Sequence, residues 1–192
     1  TLKAGSTSID NGGTYTVSAA TTVAATYVKE AYKVTVSASN GTVTLKDASG
    51  NTITSGSSVE YGTVITVTAT PSTGYQLSTL KAGSTSLSSG GTFTVSAATT
   101  ITATFTQKTY AITITNPTGA TITLKDASGN AVSSGASVAH GTVLTVTLTP
   151  SSGYRVKTIT VDGTSKKTNS TISNAAVTYS YTVGAAAFTL SG

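Results

Sequence analysis

The chain has 192 residues, 11 Lys and Arg against 6 Asp and Glu for a net charge of +5, and no Cys, Met or Trp. Charged residues are 9 % of the total, far below the usual quarter, and the basic ones are scattered, with Lys166-Lys167 the one adjacent pair, which argues against nucleic acid as a partner. The lack of Cys excludes a disulfide framework and a thiolate metal site, and no apolar run reaches transmembrane length. Thr dominates, followed by Ser, Ala, Gly and Val, a strand-forming composition that predicts an all-β chain.

The first stretch recurs. Thr1–Tyr27 reads TLKAGSTSIDNGGTYTVSAATTVAATY, and Thr79–Phe105 reads TLKAGSTSLSSGGTFTVSAATTITATF, an offset of 79 − 1 = 78 residues. A period of this size marks tandem modules. In the first copy Tyr15, Val17 and Ala19 alternate with polar residues, as do Val23, Ala25 and Tyr27 with Thr22, Ala24 and Thr26. This spacing predicts two short strands, with Gly12-Gly13 as a turn.

Beyond the connector Val28–Ala31, Tyr32, Val34 and Val36 share one strand face, and Asn40-Gly41 is a strong hairpin signal. Val43 and Leu45 lie in a further strand, and Lys46–Asn51 reads as a second turn. Ile65, Val67 and Ala69 point inward between Thr66, Thr68 and Thr70, and Pro71 ends that strand because it has no N–H for a ladder. A Ser72–Tyr75 turn leads to the closing stretch, with Phe93, Val95, Ile101, Ala103 and Phe105 apolar.

The third unit copies the second: Leu45–Asn51 recurs as Leu124–Asn130, and Pro71, Gly74 and Tyr75 as Pro150, Gly153 and Tyr154. Its closing part has drifted, with Val161-Asp162-Gly163-Thr164 in place of KAGST, as in a capping unit. The predicted fold is therefore all-β: tandem modules of roughly 80 residues, antiparallel or mixed sheets, about six or seven short strands each and no significant helix. The expected divisions are 1–29 as the C-terminal half of a module, 30–107 as a full module and 108–192 as a full, diverged one. The expected core is Val34, Val36, Ile65, Val67, Phe93, Val95, Ile101 and Phe105 in the second unit, and Ile112, Ile114, Leu144 and Val146, with Val183 and Phe188, in the third. Because the chain lacks Met and starts within a repeat, it is expected to be one stretch of something longer.

These motifs resemble the divergent internalin-type B-repeat family of bacterial surface proteins. The matching residues are Asn40-Gly41, Gly62–Pro71, Gly74-Tyr75 and Thr92–Phe105, with Gly141–Pro150 and Gly153-Tyr154 in the third unit. The chain departs from the family pattern after the Gly-Tyr pair, where an aromatic is usual and Leu77 and Leu80, or Val156 and Ile159, stand instead. The resemblance implies secreted or cell-surface modules of a bacterial stalk, adhesin or fibre, without enzymatic activity.

Candidate sites are few. Asp47-x-Ser49-x-Asn51, and again Asp126-x-Ser128-x-Asn130, look like the start of a calcium loop, but each supplies one carboxylate where such a loop needs several. The same residues are favoured in turns, so no metal and no cofactor is expected. His140 is the single histidine, aligned with Tyr61, and has no carboxylate or thiol partner in the sequence for a triad or a metal site. The acids form no recurring close pair and no GxSxG occurs, which leaves catalytic residues at none. Tyr75 and Tyr154 follow Gly in a turn and are the candidate contacts for a surface glycan, the alternative to a purely structural role. The outward Thr rows, such as Thr100-Thr102-Thr104-Thr106, lack the short constant period of an ice-binding array and suit lateral packing on another sheet. The expected partners are further copies of the chain or adjacent modules, head to tail, with residues 1–27 completed by a neighbour.

Overall fold

The computed structural model describes the backbone of residues 1–161, 164–184 and 188–191 and the side chains of 1–158 and 174–184. Phe188, named above as core, and the Val161–Thr164 tract lie outside the described side chains. Among the described residues the regular structure is all strand.

Three strands come first: β1 (Leu2–Ala4), β2 (Thr7–Ile9) and β3 (Val23–Ala25), in a sheet of order β2-β1-β3. The second set is β4 (Ala31–Ala38), β5 (Gly41–Asp47), β6 (Thr52–Ile53), β7 (Ser58–Glu60), β8 (Val64–Pro71), β9 (Tyr75–Ala82), β10 (Thr85–Ser86), β11 (Gly91–Thr94) and β12 (Thr99–Gln107). They form a five-stranded sheet, β10-β9-β12-β4-β7, and a four-stranded sheet, β11-β8-β5-β6. The third set is β13 (Thr109–Ile114), β14 (Ala120–Asp126), β15 (Ala131–Val132), β16 (Ser137–Ala139), β17 (Val143–Pro150), β18 (Val156–Val161), β19 (Thr164–Ser173), β20 (Val177–Thr182) and β21 (Phe188–Ser191). Their sheets are β16-β13-β21-β18-β19 and β15-β14-β17-β20.

The second and third sets thus share one strand order, position for position. Each has nine described strands, more than the six or seven expected, because two- and three-residue pieces such as β6 and β7 pair at sheet edges and are too short to show a period. Pairs such as β14–β17 and β8–β11 are antiparallel, whereas the opening strand β13 runs parallel to the closing strand β21, Ile112 opposite Phe188 and Ile114 opposite Leu190.

Two sequence expectations are corrected. Residues 13–18 are not a strand, although the equivalent Gly91–Thr94 is β11. β11 exists by pairing with β8, Phe93 opposite Ile65 and Gly91 opposite Val67, and residues 1–27 contain no copy of β8. Asn40-Gly41 does not close a hairpin either: β4 and β5 belong to different sheets, so the turn carries the chain from one sheet to the other. Asn40 has φ 61° there, and Gly119, at the same point of the third set, has φ 81°. Such a conformation suits Asn or Gly and few other residues.

The chain divides into two compact units. The first is Thr1–Ser37, Thr44–Thr68 and Lys81–Thr102, and the second Ala38–Val43, Ala69–Leu80 and Ala103–Gly192. In the first, Val34, Leu45, Ile65, Val67, Val95 and Ile101 are buried. In the second, Phe105, Ile112, Leu124, Leu144, Val146 and Val183 are buried, and residues of β13 and β18 meet residues of β14, β17 and β20 in one cluster, so the third set packs sheet on sheet. Val36 and Ile114, expected in the core, are half-buried. Each sits late in its opening strand, where a serine hydroxyl (Ser55 or Ser134) and not a neighbouring strand accepts its N–H. Phe93 is half-buried because β11 is an edge strand.

Candidate interaction surfaces

The Asp turns are closed structures. Asp47 Oδ1 accepts the N–H groups of Ser49 and Asn51, each at 2.9 Å, and Oδ2 accepts Asn51 Nδ2 at 2.9 Å. Asp126 repeats this with Ser128 and Asn130. The carboxylates are occupied by turn donors, and those bonds, led by the Asn side-chain amide, hold both carboxyls below the usual range.

His140 occupies a position that the other repeat fills with a phenol. Tyr32 and Tyr61 meet edge to face with ring centroids 6.5 Å apart, and the equivalent Tyr110 and His140 meet at 6.2 Å. The backbones agree as well: Tyr61 N–H donates to Glu30 O, and His140 N–H to Lys108 O. The ring is half of an aromatic pair that seats the short edge strand on the opening strand. The Tyr32 hydroxyl also donates to Glu30 Oε2, which raises its pKa above the ordinary phenol value.

The Gly-Tyr turns are connectors. In the second unit, the Pro71–Tyr75 turn lies against the start of the next repeat: Lys108 N–H donates to Gly74 O at 2.8 Å, and Gln107 Nε2 donates to His140 O at 2.8 Å. The space among Pro71, Gly74, Tyr75, Lys108, Tyr110 and His140 is about 420 Å³. Tyr75 is half-buried there, whereas Tyr154, at the equivalent turn of the third set, is 49 % exposed with its ring laid over Gly119. The structure thus places the two candidate tyrosines in different settings and does not bring them together into one site.

In residues 1–27 three apolar side chains are exposed whose counterparts in the second copy are buried. Val17 is 73 % exposed against 0 % for Val95, Val23 63 % against 0 % for Ile101, and Tyr27 88 % against 7 % for Phe105. Each pair is separated by the 78-residue offset. Local bonds survive in both copies: Gly5 N–H to Thr22 O and Gly83 N–H to Thr100 O, each at 2.9 Å, and Thr21 and Thr99 hydroxyls to the carbonyls two residues back. The bonds that tie the second copy to its front half, such as Val95 N–H to Thr63 O and Gly90 N–H to Val67 O, need residues that the first copy does not have. Beside β1 and β3, Leu2, Ile9, Ala25 and Tyr27 line a groove of about 530 Å³. The near-identity of the two copies was visible in the sequence; their different fates follow from which strands lie beside them.

Comparison with known protein families finds two successive matches to the divergent InlB B-repeat domain, over residues 32–109 and 110–189. No curated protein matches the chain.

Proposed function

Because the chain belongs to the divergent InlB B-repeat family, we propose that it is a non-enzymatic structural segment of a bacterial surface stalk or fibre, built to hold its ends apart under tension. Tandem β repeats of one strand order support this reading, and one observation carries it. In the third set the first and last strands are hydrogen-bonded neighbours running parallel, Ile112 to Phe188 through Ile114 to Leu190. Tension enters a repeat at its opening strand and leaves at its closing strand. In a parallel pair those two attachment points lie at opposite ends of the ladder, so the load shears all its bonds together. In an antiparallel pair the same load would open the ladder one bond at a time. The low charge and the Thr-rich outer faces are compatible with lateral contact in a crowded surface layer.

Stretching single molecules of the whole chain tests this. Each repeat should yield abruptly and lengthen the chain by about 270 Å, the extended length of roughly 80 residues. Gradual extension without discrete force peaks would refute the tension-bearing role.

A further inference from the structure

We infer that the cleft between the Pro71–Tyr75 turn and the opening of the following repeat binds a carboxylated sugar. This is a ligand-binding role in addition to the structural one. The cleft lies within a single compact unit, the one that holds Ala69–Leu80 and Ala103–Gly192.

The cleft has the size and make-up of a small-ligand site. Its volume is about 420 Å³, inside the ~300–1,000 Å³ common for such sites. Pro71, Tyr75, Tyr110 and His140 give it apolar walls, and the C–H face of a sugar ring packs on surfaces of that kind. A tyrosine offers a flat apolar body and a polar tip that both donates and accepts, which matches the alternation of C–H and O–H groups on a pyranose. Tyr75, Tyr110 and His140 are half-buried. Yet among the described residues neither hydroxyl, neither ring nitrogen of His140 and not Lys108 Nζ has a hydrogen-bond or ion-pair partner. Packing holds the rings in place: those of Tyr110 and His140 meet at 6.2 Å, and the His140 ring lies against Gly74.

Charge selects the kind of sugar. Among the described residues that line the cleft, Lys108 is the one Lys or Arg, and no Asp or Glu joins it. The other repeat differs at this very point. There Glu30 stands for Lys108 and Tyr61 for His140, and the hydroxyl of Tyr32, the equivalent of Tyr110, donates to Glu30 Oε2. Lys in place of Glu reverses the local charge and leaves the Tyr110 hydroxyl for a ligand. One ammonium matches one carboxylate per binding unit. Chains of closely spaced phosphates or sulfates are held by several cations together, which this lining does not supply. The net charge of +5 also draws an anionic partner at long range.

The carboxylate can come from a hexuronic acid of a polysaccharide or from a terminal sialic acid of a glycan, and the test separates the two. The full chain is titrated by calorimetry with a galacturonic acid trimer, the neutral methyl ester of that trimer, sialyllactose and lactose. At least one of the two acids should bind, about tenfold tighter than its neutral counterpart or better, as a charge-assisted contact gives, and the acid that binds identifies the source. Lys108→Glu changes an exposed side chain to the residue of the other repeat and keeps the backbone N–H on Gly74 O. This variant should fold like the parent and lose that preference for the acid. Lys46→Glu makes the same change of charge on β5, away from the cleft, and should keep it. No binding of either acid, equal binding of the neutral counterparts, or equal loss in the two variants would overturn the proposal. None of these results bears on the force response of the β13–β21 pair, so the proposal and the structural role fail separately.

Discussion

Gly74 and Gly153 occupy equivalent turns with φ 80° and 82°, yet their surroundings differ. A Cβ on Gly74 would run into the His140 ring, whereas one on Gly153 would meet nothing within 4 Å. Gly153→Ala should therefore cost about 1–2 kcal/mol, the left-handed backbone term alone. Gly74→Ala should cost more, and adding His140→Ala should recover the difference; chemical denaturation of the three variants checks this. The Asp turns give a pH dependence with a definite sign. Asp47 and Asp126 are lowered in the folded chain, and the unfolded value is about 3.9. Their contribution is thus complete above roughly pH 5 and fades as pH falls through the unfolded value towards the lower folded ones. Asp47→Asn with Asp126→Asn should flatten the loss of melting temperature between about pH 5 and 3.

At the scale of the element, strands in this chain are made by their neighbours. The stretch GTYTV at 13–17 and its counterpart GTFTV at 91–95 have the same alternation, and one is a strand while the other is not. Periodicity reports a side-chain pattern, and the pattern becomes a ladder when a partner strand is present. Phe105, 7 % exposed with its ring within 2.5 Å of where a Cβ on Gly41 would lie, shows what the partner provides. Phe105→Ala should destabilise the chain by about 3–5 kcal/mol, while Tyr27→Ala at the matching position should stay within about 0.5 kcal/mol; equilibrium unfolding of the two variants compares them directly. The in–out alternation of Ile65, Val67 and Ala69 was legible because a strand with one buried face writes it into the sequence. The parallel β13–β21 pair was not, because residues over 70 apart in the chain leave no local mark of their register. The Asn40 turn was misread for a related reason: the turn chemistry fixes a backbone angle, and the destination of the next strand lies outside it.

For the whole molecule, the repeat architecture and the family were legible from the GT…P…GY spacing and the 78-residue recurrence, both of which are properties of the letters themselves. The role of the Gly-Tyr turns was not, since Tyr75 and Tyr154 are alike in sequence and differ by what lies beside them: Lys108 and His140 in one case, open surface in the other. If Tyr154 instead served a glycan, Tyr154→Ala would abolish retention on a glycan array; retention is expected to survive that variant and to fall with Lys108→Glu. A back half of this repeat closes where a front half meets it, as β11 does on β8. Amide exchange on the free, monomeric chain tests it most directly, because the two copies of the back half lie in one molecule and serve as each other's control. The prediction is strong protection across 91–95 and 101–105 and weak protection across 13–17 and 23–27. Equal protection of the two copies in a strictly monomeric chain would contradict it.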